Sequence, residues 1–224
     1  MTTVLDPARG YALWAPTYSA ETAVSALEAS VVASLTESLT ARRVLDVGCG
    51  IARRLVDARD AGASLAVGVD LTPRMLAQAM GGQLLAAADV RALPIAAGAF
   101  DVVWCRLVLG HLPTLAAAYA ELARACAPGG SIVVTDFHPL AAAAGHRRTF
   151  RDADGEVREL EHHVHTGGDH RAVAARAGLS FVEQRDGAVG SHVRGFYERA
   201  GRLDAYERQL GLSLVLALRF VRER

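Results

Sequence analysis

The sequence contains no lysine and no asparagine, so all 24 of its basic residues are arginine. Enzymes that form a Schiff base, that use pyridoxal phosphate, or that bind nucleotides through a P-loop each need a lysine amine in the site. The absence of lysine therefore excludes these three classes.

Cysteine is scarce and the charge is balanced. Cys49, Cys105 and Cys126 are odd in number and never spaced as CxxC, which argues against a disulfide framework and a structural zinc site. The formal net charge is zero and gives no support for nucleic-acid binding. The chain has no apolar run long enough for a membrane span, and residues 1–13 lack the basic-then-apolar order of a signal peptide, so we expect a cytoplasmic protein. Nothing in the sequence indicates the oligomeric state.

Stretches rich in valine, leucine and alanine alternate with helical patterns, which is typical of parallel strands buried between crossover helices. The sequence therefore predicts an α/β fold in a single domain over residues 1–224. An amphipathic helix is predicted over 21–39, and parallel strands over 44–47, 65–69, 84–87, 100–105 and 131–135.

The pattern changes after the fifth predicted strand. Residues 149–151 and 156–165 alternate in polarity around Asp152-Ala153-Asp154-Gly155, which predicts an inserted β-hairpin. A helix over 169–177, a strand over 179–184, a helical stretch over 195–209 and a final strand over 212–220 complete the prediction.

A glycine turn follows the first predicted strand. Gly48 and Gly50 allow the backbone to approach a ligand closely. A dinucleotide fingerprint would have a third glycine where Arg53 stands, which disfavours a nicotinamide-dependent oxidoreductase. Asp46 would repel a phosphate and suits a ligand that carries an ammonium or sulfonium group.

Two further acids end the next strands. Asp70 follows Gly50 by twenty residues, the spacing at which a carboxylate accepts hydrogen bonds from ribose hydroxyls. Asp89 ends the third predicted strand and can accept a hydrogen bond from an exocyclic amine such as that of adenine. The sequence therefore predicts a ligand with a ribose and without a pyrophosphate.

At these residues the chain resembles a known family. Val44-Leu45-Asp46-Val47-Gly48-Cys49-Gly50 resembles the first motif of the class I S-adenosylmethionine-dependent methyltransferases. Segments 68–76, 88–94, 100–105 and 127–134 resemble the later motifs in the same order. Residues 11–18 resemble the N-terminal segment of the quinone-biosynthesis type of small-molecule methyltransferase, which closes over the cofactor. Ile51-Ala52 departs from the Thr-Gly usual in the family, which puts cofactor affinity in question.

The resemblance implies a Rossmann-like sheet of seven mostly parallel strands with helices on both faces, the last strand antiparallel, and the hairpin inserted after strand 5. It implies lid helices in residues 1–40, a cofactor-binding core in 41–137, a substrate-covering segment in 138–170 and the rest of the sheet in 171–224. The implied cofactor is S-adenosyl-L-methionine.

The resemblance also assigns roles. The cofactor's amino-acid portion would be held by Asp46, Gly48 and Gly50, and its ribose by Asp70. Adenine would contact Asp89, Val90, Leu71 and Met75. The remaining implied cofactor-site residues are Cys49 in the glycine turn, Cys105 and Arg106 at the cleft, and Tyr11, Trp14 and Tyr18 in the lid.

Seven of the eight histidines lie in residues 138–192. His138, at the end of the fifth predicted strand, is our first candidate for a general base. Strand alternation would put Glu161, His163 and His165 on one face, which could abstract a proton, clamp substrate, supply part of a metal site, or simply be solvated. His111 would face the cleft in a positioning role or pack in the core.

Two roles are open for the arginines of the inserted segment. Arg147, Arg148 and Arg151 could bind an anionic group of the substrate or form a solvated strand face.

The predicted function is methyl transfer to a small-molecule acceptor at oxygen, nitrogen or carbon, in specialised metabolism, by in-line displacement with a histidine base. Two alternatives remain open: a non-catalytic protein that binds S-adenosylmethionine or a partner, and an enzyme that uses the cofactor or a metal for other chemistry. No metal ligand set is assigned.

Overall fold

A sheet of seven strands forms the centre of the computed structural model, which describes residues 3–18 and 21–224. The strands are β1 (Val4–Leu5), β2 (Arg43–Val47), β3 (Leu65–Asp70), β4 (Leu84–Ala87), β5 (Phe100–Arg106), β6 (Cys126–Phe137), β7 (Thr149–Arg151), β8 (Val157–Leu160), β9 (Leu179–Ala188) and β10 (Ser213–Arg222). The α-helices are α1 (Pro7–Trp14), α2 (Ala23–Leu35), α3 (Arg53–Asp60), α4 (Pro73–Leu76), α5 (Ala116–Ala125), α6 (Pro139–Ala143), α7 (Gly167–Arg176), α8 (Arg194–Arg199) and α9 (Leu203–Gln209).

The strand order in the large sheet is β4-β3-β2-β5-β6-β10-β9. Strands β4, β3, β2, β5 and β6 are parallel, and β10 runs antiparallel to both β6 and β9. The predicted sheet of seven mostly parallel strands with an antiparallel last strand is confirmed. Because the strand order reverses at β2 and β5, the carboxyl ends of these strands border the crevice in which open α/β sheets bind ligands.

The two faces of the sheet pack against different helices. Leu45 and Val47 of β2 join a core cluster with Leu122 of α5. Val44, on the other face of the same strand, packs in a cluster with Leu55 of α3. Strand β2 is therefore buried on both sides, as its nearly continuous apolar sequence predicts.

The inserted hairpin is confirmed, but its second strand is shorter than predicted. Strands β7 and β8 are antiparallel, and β1 pairs with β8 in parallel to complete a small second sheet. Strand β8 ends at Leu160, and residues 161–166 form a loop. The His163 amide donates to the carbonyl of Gly110 rather than to a neighbouring strand. The predicted shared strand face of Glu161, His163 and His165 is therefore wrong.

The predicted helical stretch over 195–209 is broken in two. Helix α8 ends at Arg199 and α9 begins at Leu203. Gly201, between them, adopts a left-handed backbone conformation with φ of 63°. In the part of the chain that the structure describes, no helix is both long and apolar enough to span a membrane.

Candidate active site

A cavity of about 310 Å³ lies at the carboxyl ends of β2, β3 and β5. The glycine turn after β2 forms one wall, and helix α1 with the segment that leads into β7 contributes another. The cavity therefore joins the predicted cofactor-binding core to the N-terminal segment, predicted to close over the cofactor, and to the inserted segment, predicted to cover a substrate.

The glycine turn is held in a conformation that needs glycine. Gly48 and Gly50 have φ of 76° and 57°, in the left-handed region. A Cβ atom at Gly48 would lie 2.1 Å from Cγ2 of Val108. The amides of Gly48 and Cys49 donate to the carbonyl oxygen of Val69 at 2.7 and 3.0 Å, which ties the turn to the end of β3.

Asp46 lies beneath this turn and lacks a hydrogen-bond partner for one oxygen. Its side chain lines the cavity, the residue is 2% exposed, and no described residue bonds its Oδ1. Burial raises the pKa of Asp46 to about 6. A buried carboxylate with a free oxygen is stabilised by a cationic ligand group, so the site suits an ammonium.

Asp70 holds the turn from the neighbouring strand. Its Oδ2 accepts from the amide of Gly50 at 2.8 Å, and its Oδ1 accepts from the amide of Thr72 at 2.8 Å. Burial raises its pKa above the usual range. Each oxygen keeps a further lone pair, so Asp70 can still accept hydrogen bonds from hydroxyl groups at the cavity.

The residues predicted around adenine also line the cavity: Leu71, Met75, Asp89 and Val90. Met75 is fully buried, and its Cε would lie 3.3 Å from a Cβ at Gly50. The Asp89 carboxylate accepts two hydrogen bonds from Nε and one from Nη2 of Arg91, at 2.6–3.1 Å. Asp89 is thus mostly occupied, and its contact with adenine stays a prediction.

Two predictions about the cleft end of β5 need revision. Cys105 does not line the cavity, because strand alternation places its side chain in the core cluster with Val47. Arg106 does line the cavity, but its guanidinium pairs with Glu28 of α2, and both side chains are buried. Glu28 was missed by the sequence analysis, although a lone acid in an otherwise apolar helix was a usable signal.

The departure from the family motif leaves the cavity open. Ala52 has φ of 60°, a conformation that explains why glycine is usual there. Its side chain is 1% exposed, packs with Leu55 and Ala58, and lies outside the cavity lining. Cys49 and Ile51 do line the cavity.

The lid aromatics separate into two groups. Tyr11 and Tyr18 line the cavity, whereas Trp14 lies outside the lining and stacks on Phe150 of β7 at 4.9 Å between ring centroids. Trp14 therefore joins α1 to the hairpin and does not supply the predicted cofactor contact. Burial raises the pKa of Tyr18, which keeps its phenol neutral.

Of the predicted histidines, His111 alone lines this cavity. Its Nδ1 lies 2.9 Å from the carbonyl oxygen of Glu161, and its Nε2 lies 3.0 Å from the hydroxyl of Tyr11. Since a carbonyl only accepts, Nδ1 carries the proton and Nε2 accepts from Tyr11. Burial lowers the pKa of His111 to about 4, so the ring is neutral at pH 7.

The structure does not bring the other three predicted bases to the cavity. His138 lies outside its lining and caps α6, since its Nδ1 accepts from the amide of Leu140 at 3.0 Å. His163 lies 3.6 Å from the Glu161 carboxylate, and Nε2 of His165 lies 2.9 Å from the carbonyl oxygen of Leu112. These contacts hold the three side chains away from the cavity lining.

Two histidines that sequence reasoning did not single out surround a buried acid. Asp136 has imidazole nitrogens of His162 and His170 at 3.6 and 3.4 Å. Burial alone would raise the pKa of Asp136, but the two imidazoles outweigh it and hold the pKa well below its usual range. Tyr119 completes the group by bonding Nδ1 of His170 at 2.9 Å. Across residues 3–18 and 21–224, no cluster of three or more His, Cys, Asp or Glu side chains suits a metal ion.

Comparison with known proteins agrees with this geometry. Residues 45–134 match a family model described as a methyltransferase domain. Residues 45–134 therefore form a methyltransferase domain of the class I S-adenosylmethionine-dependent type. Its cofactor is S-adenosylmethionine, and the free oxygen of Asp46 beneath the glycine turn fits the ammonium of that molecule.

Relatives of this methyltransferase domain include two curated enzymes. The chain is 39% identical over 95 residues to a malonyl-[acyl-carrier protein] O-methyltransferase of Pseudescherichia vulneris, a match that covers 41% of this chain and 38% of the relative. It is 29% identical over 191 residues to the enzyme of the same name from Dechloromonas aromatica, with 81% and 68% covered. The match thus spans well under half of the first relative's length.

A solved structure shares the fold. The S-adenosylmethionine-dependent methyltransferase from Mesorhizobium loti superimposes with a TM-score of 0.71 at 22% identity, over 89% of this chain and 100% of that chain.

Proposed function

We propose that this chain catalyses methyl transfer from S-adenosylmethionine to a small-molecule acceptor. The single observation that carries the proposal is the free oxygen of the buried Asp46 carboxyl in a cavity that also reaches Tyr11 and His111 of the covering side. One part of the cavity suits the cofactor, and the other leaves room for an acceptor.

The cofactor would be held by the residues that surround the glycine turn. Asp46 would bind its ammonium, the turn at Gly48 and Gly50 would approach it through backbone atoms, and Asp70 would accept from its ribose hydroxyls. Leu71 and Met75 would pack against its base. When bound, S-adenosylmethionine supplies a methyl group on a positively charged sulfur.

The chain's own contribution is alignment and exclusion of water. Tyr11 and Tyr18 cover the cavity from the N-terminal segment, and Trp14 anchors that segment on Phe150 of the hairpin. An in-line displacement gains most of its rate from a closed site that holds the reacting atoms in line.

We assign the predicted histidine role to His111. Its Nε2 accepts from the Tyr11 hydroxyl at the cavity, so it would take a proton through that hydroxyl, whereas Nδ1 of His138 and Nε2 of His165 are bonded elsewhere. With a pKa of about 4, His111 is a weak base, so it suits an acceptor that is already acidic or ionised. For other acceptors its role would be to position Tyr11.

The alternatives lose their specific support. Ile51-Ala52 was the feature that favoured a non-catalytic protein; Ala52 lies outside the cavity, and Ile51 lines it without filling it. The Glu161, His163 and His165 face that would serve a metal enzyme does not form. A small molecule, or a short acyl group presented by a carrier protein as in the named relatives, is the acceptor class we propose. The cytoplasmic location and the lack of a nucleic-acid partner stay predictions.

The test is release of S-adenosylhomocysteine from the purified chain. S-adenosylmethionine is incubated with separate panels of carboxylic acids, phenols and amines, and the product is quantified chromatographically. We expect one panel to raise product formation above the acceptor-free rate, and Asp46→Asn to abolish the increase. Cofactor binding without turnover on any panel would favour the non-catalytic alternative.

A further inference from the structure

Five arginines line the cavity: Arg53, Arg54, Arg91, Arg106 and Arg148. Arg54, Arg91 and Arg106 have carboxylate partners in Asp57, Asp89 and Glu28. Arg148 has none within the described residues, and its observed bond is from Nη2 to the Tyr11 hydroxyl at 3.1 Å. A charged guanidinium with free donors thus lines the site.

The bond to Tyr11 fixes the direction of this guanidinium. The hydroxyl proton of Tyr11 is donated to Nε2 of His111, so its oxygen can only accept from Arg148. His111 is itself held by the carbonyl oxygen of Glu161. The hydrogen-bonded series Glu161, His111, Tyr11 and Arg148 therefore orients a cation whose other N–H groups have no partner in residues 3–18 and 21–224. Such a group is costly to enclose without an anion, and a carboxylate matches its planar donors.

Two neighbouring arginines of the inserted segment have partners outside the cavity. Arg147 is exposed and pairs with Glu159 at 3.0 Å, and Arg151 bonds the carbonyl oxygen of Gly155 at 2.9 Å. The sequence allowed a solvated strand face or an anion site for Arg147, Arg148 and Arg151. In the structure, Arg148 alone of these three lines the cavity.

The position of Arg148 indicates which ligand it meets. Arg53 is the first residue of α3, three residues after Gly50, and has no carboxylate partner among the described residues. It is the corresponding cation on the cofactor side. Arg148 instead enters with the inserted segment, beside Tyr11 and His111. We propose that Arg148, oriented by Tyr11, binds a carboxylate group of the methyl acceptor. This inference rests on the proposed function and narrows the acceptor to carboxylate-bearing molecules.

The experiment measures binding to the full chain saturated with S-adenosylhomocysteine. The probes are butyrate and octanoate, each compared by calorimetry with its neutral amide of equal size, butyramide and octanamide. We expect at least one acid to bind about tenfold more tightly than its amide, since a charge-assisted pair is lost in the amide. Arg148→Met should remove this preference, Arg148→Lys should restore part of it, and Tyr11→Phe should reduce it.

Arg147→Met is the matched control, because it removes the neighbouring exposed guanidinium, and it should leave the preference unchanged. Equal binding of acid and amide, including no binding of either, would overturn the inference, as would a preference that survives Arg148→Met. Loss of S-adenosylhomocysteine binding in Arg148→Met alone would assign the guanidinium to the cofactor's carboxylate and also overturn it. Failure of the wild-type chain to bind S-adenosylhomocysteine would instead defeat the proposed function.

Discussion

The two sides of the cavity are built differently. On the cofactor side, Asp46 and Asp70 lie at the carboxyl ends of adjacent parallel strands, and the sheet register fixes their positions. On the side proposed for the acceptor, called the acceptor side below, Tyr11, His111 and Arg148 come from segments far apart in sequence and are joined by side-chain hydrogen bonds. The cofactor side is therefore fixed by the core, whereas the acceptor side depends on a chain of single contacts.

The largest expected effect comes from the buried ion pair of Glu28 and Arg106 on the cofactor side. Glu28→Gln leaves Arg106 buried without its counter-charge, so we expect the free energy of unfolding to fall by about 3 kcal/mol. Urea denaturation measures it. Glu159→Gln makes the same change opposite the exposed Arg147 of the hairpin and should cost less than about 1 kcal/mol. Equal losses in the two variants would contradict the claim that the Glu28–Arg106 pair is fixed in the core.

The next effect concerns cofactor affinity. Asp70→Asn keeps the shape of the side chain but replaces one acceptor oxygen by an amide, and Gly50 or Thr72 then loses its partner. We expect about 30-fold weaker binding of S-adenosylhomocysteine, measured by calorimetry, since hydrogen bonds to charged groups contribute about 2 kcal/mol. Asp89→Asn is the control, and its occupied carboxylate predicts the smaller loss. If Asp89→Asn weakened binding more than Asp70→Asn, Asp89 would make the main contact with the ribose or the adenine.

A smaller effect follows from the titration of Asp46. Its pKa of about 6 means that the carboxylate is charged at pH 7.5 and protonated at pH 5. Since the ammonium of the ligand pairs with the charged form, affinity for S-adenosylhomocysteine should fall by about tenfold per pH unit below 6. Calorimetry between pH 5 and 7.5 measures this slope. If the Asp46→Asn variant kept the same pH dependence of affinity, the titrating group would be a residue other than Asp46.

The smallest effect is expected at the residue that departs from the family motif. Ala52→Gly relieves a left-handed backbone but removes a buried methyl group, and the two terms, each about 1 kcal/mol, nearly cancel in stability. Because Ala52 lies outside the cavity, affinity for S-adenosylhomocysteine should change by less than about twofold. A tenfold gain in the glycine variant would show that Ala52 restricts the site.

The same contrast explains what the sequence could predict. Strand ends are local features, so the sequence predicts that Asp46, Gly48 and Asp70 lie near one another, and all three line one cavity. Their contacts with the cofactor stay predictions. Cys105 was misplaced because its neighbour Arg106 carries the side chain that faces the cleft. The loop over 161–166 was read as strand because its alternating pattern does not show that His163 bonds Gly110.

Other parts of the site had no local signal. The bond between Tyr11 and His111 spans one hundred residues of sequence. The cluster of His162 and His170 around Asp136 likewise forms through tertiary packing. His138 was placed correctly at the end of a strand, but its role as a cap depends on the turn that follows.

The most direct test of the central claim is calorimetric titration of the wild-type chain and Asp46→Asn with S-adenosylhomocysteine. Asp60→Asn, at the exposed end of α3, is the control. We predict saturable binding at one site, about 100-fold weaker in Asp46→Asn because a desolvated charge pair is lost, and unchanged in the control. Binding of equal strength in the wild type and Asp46→Asn would contradict the account.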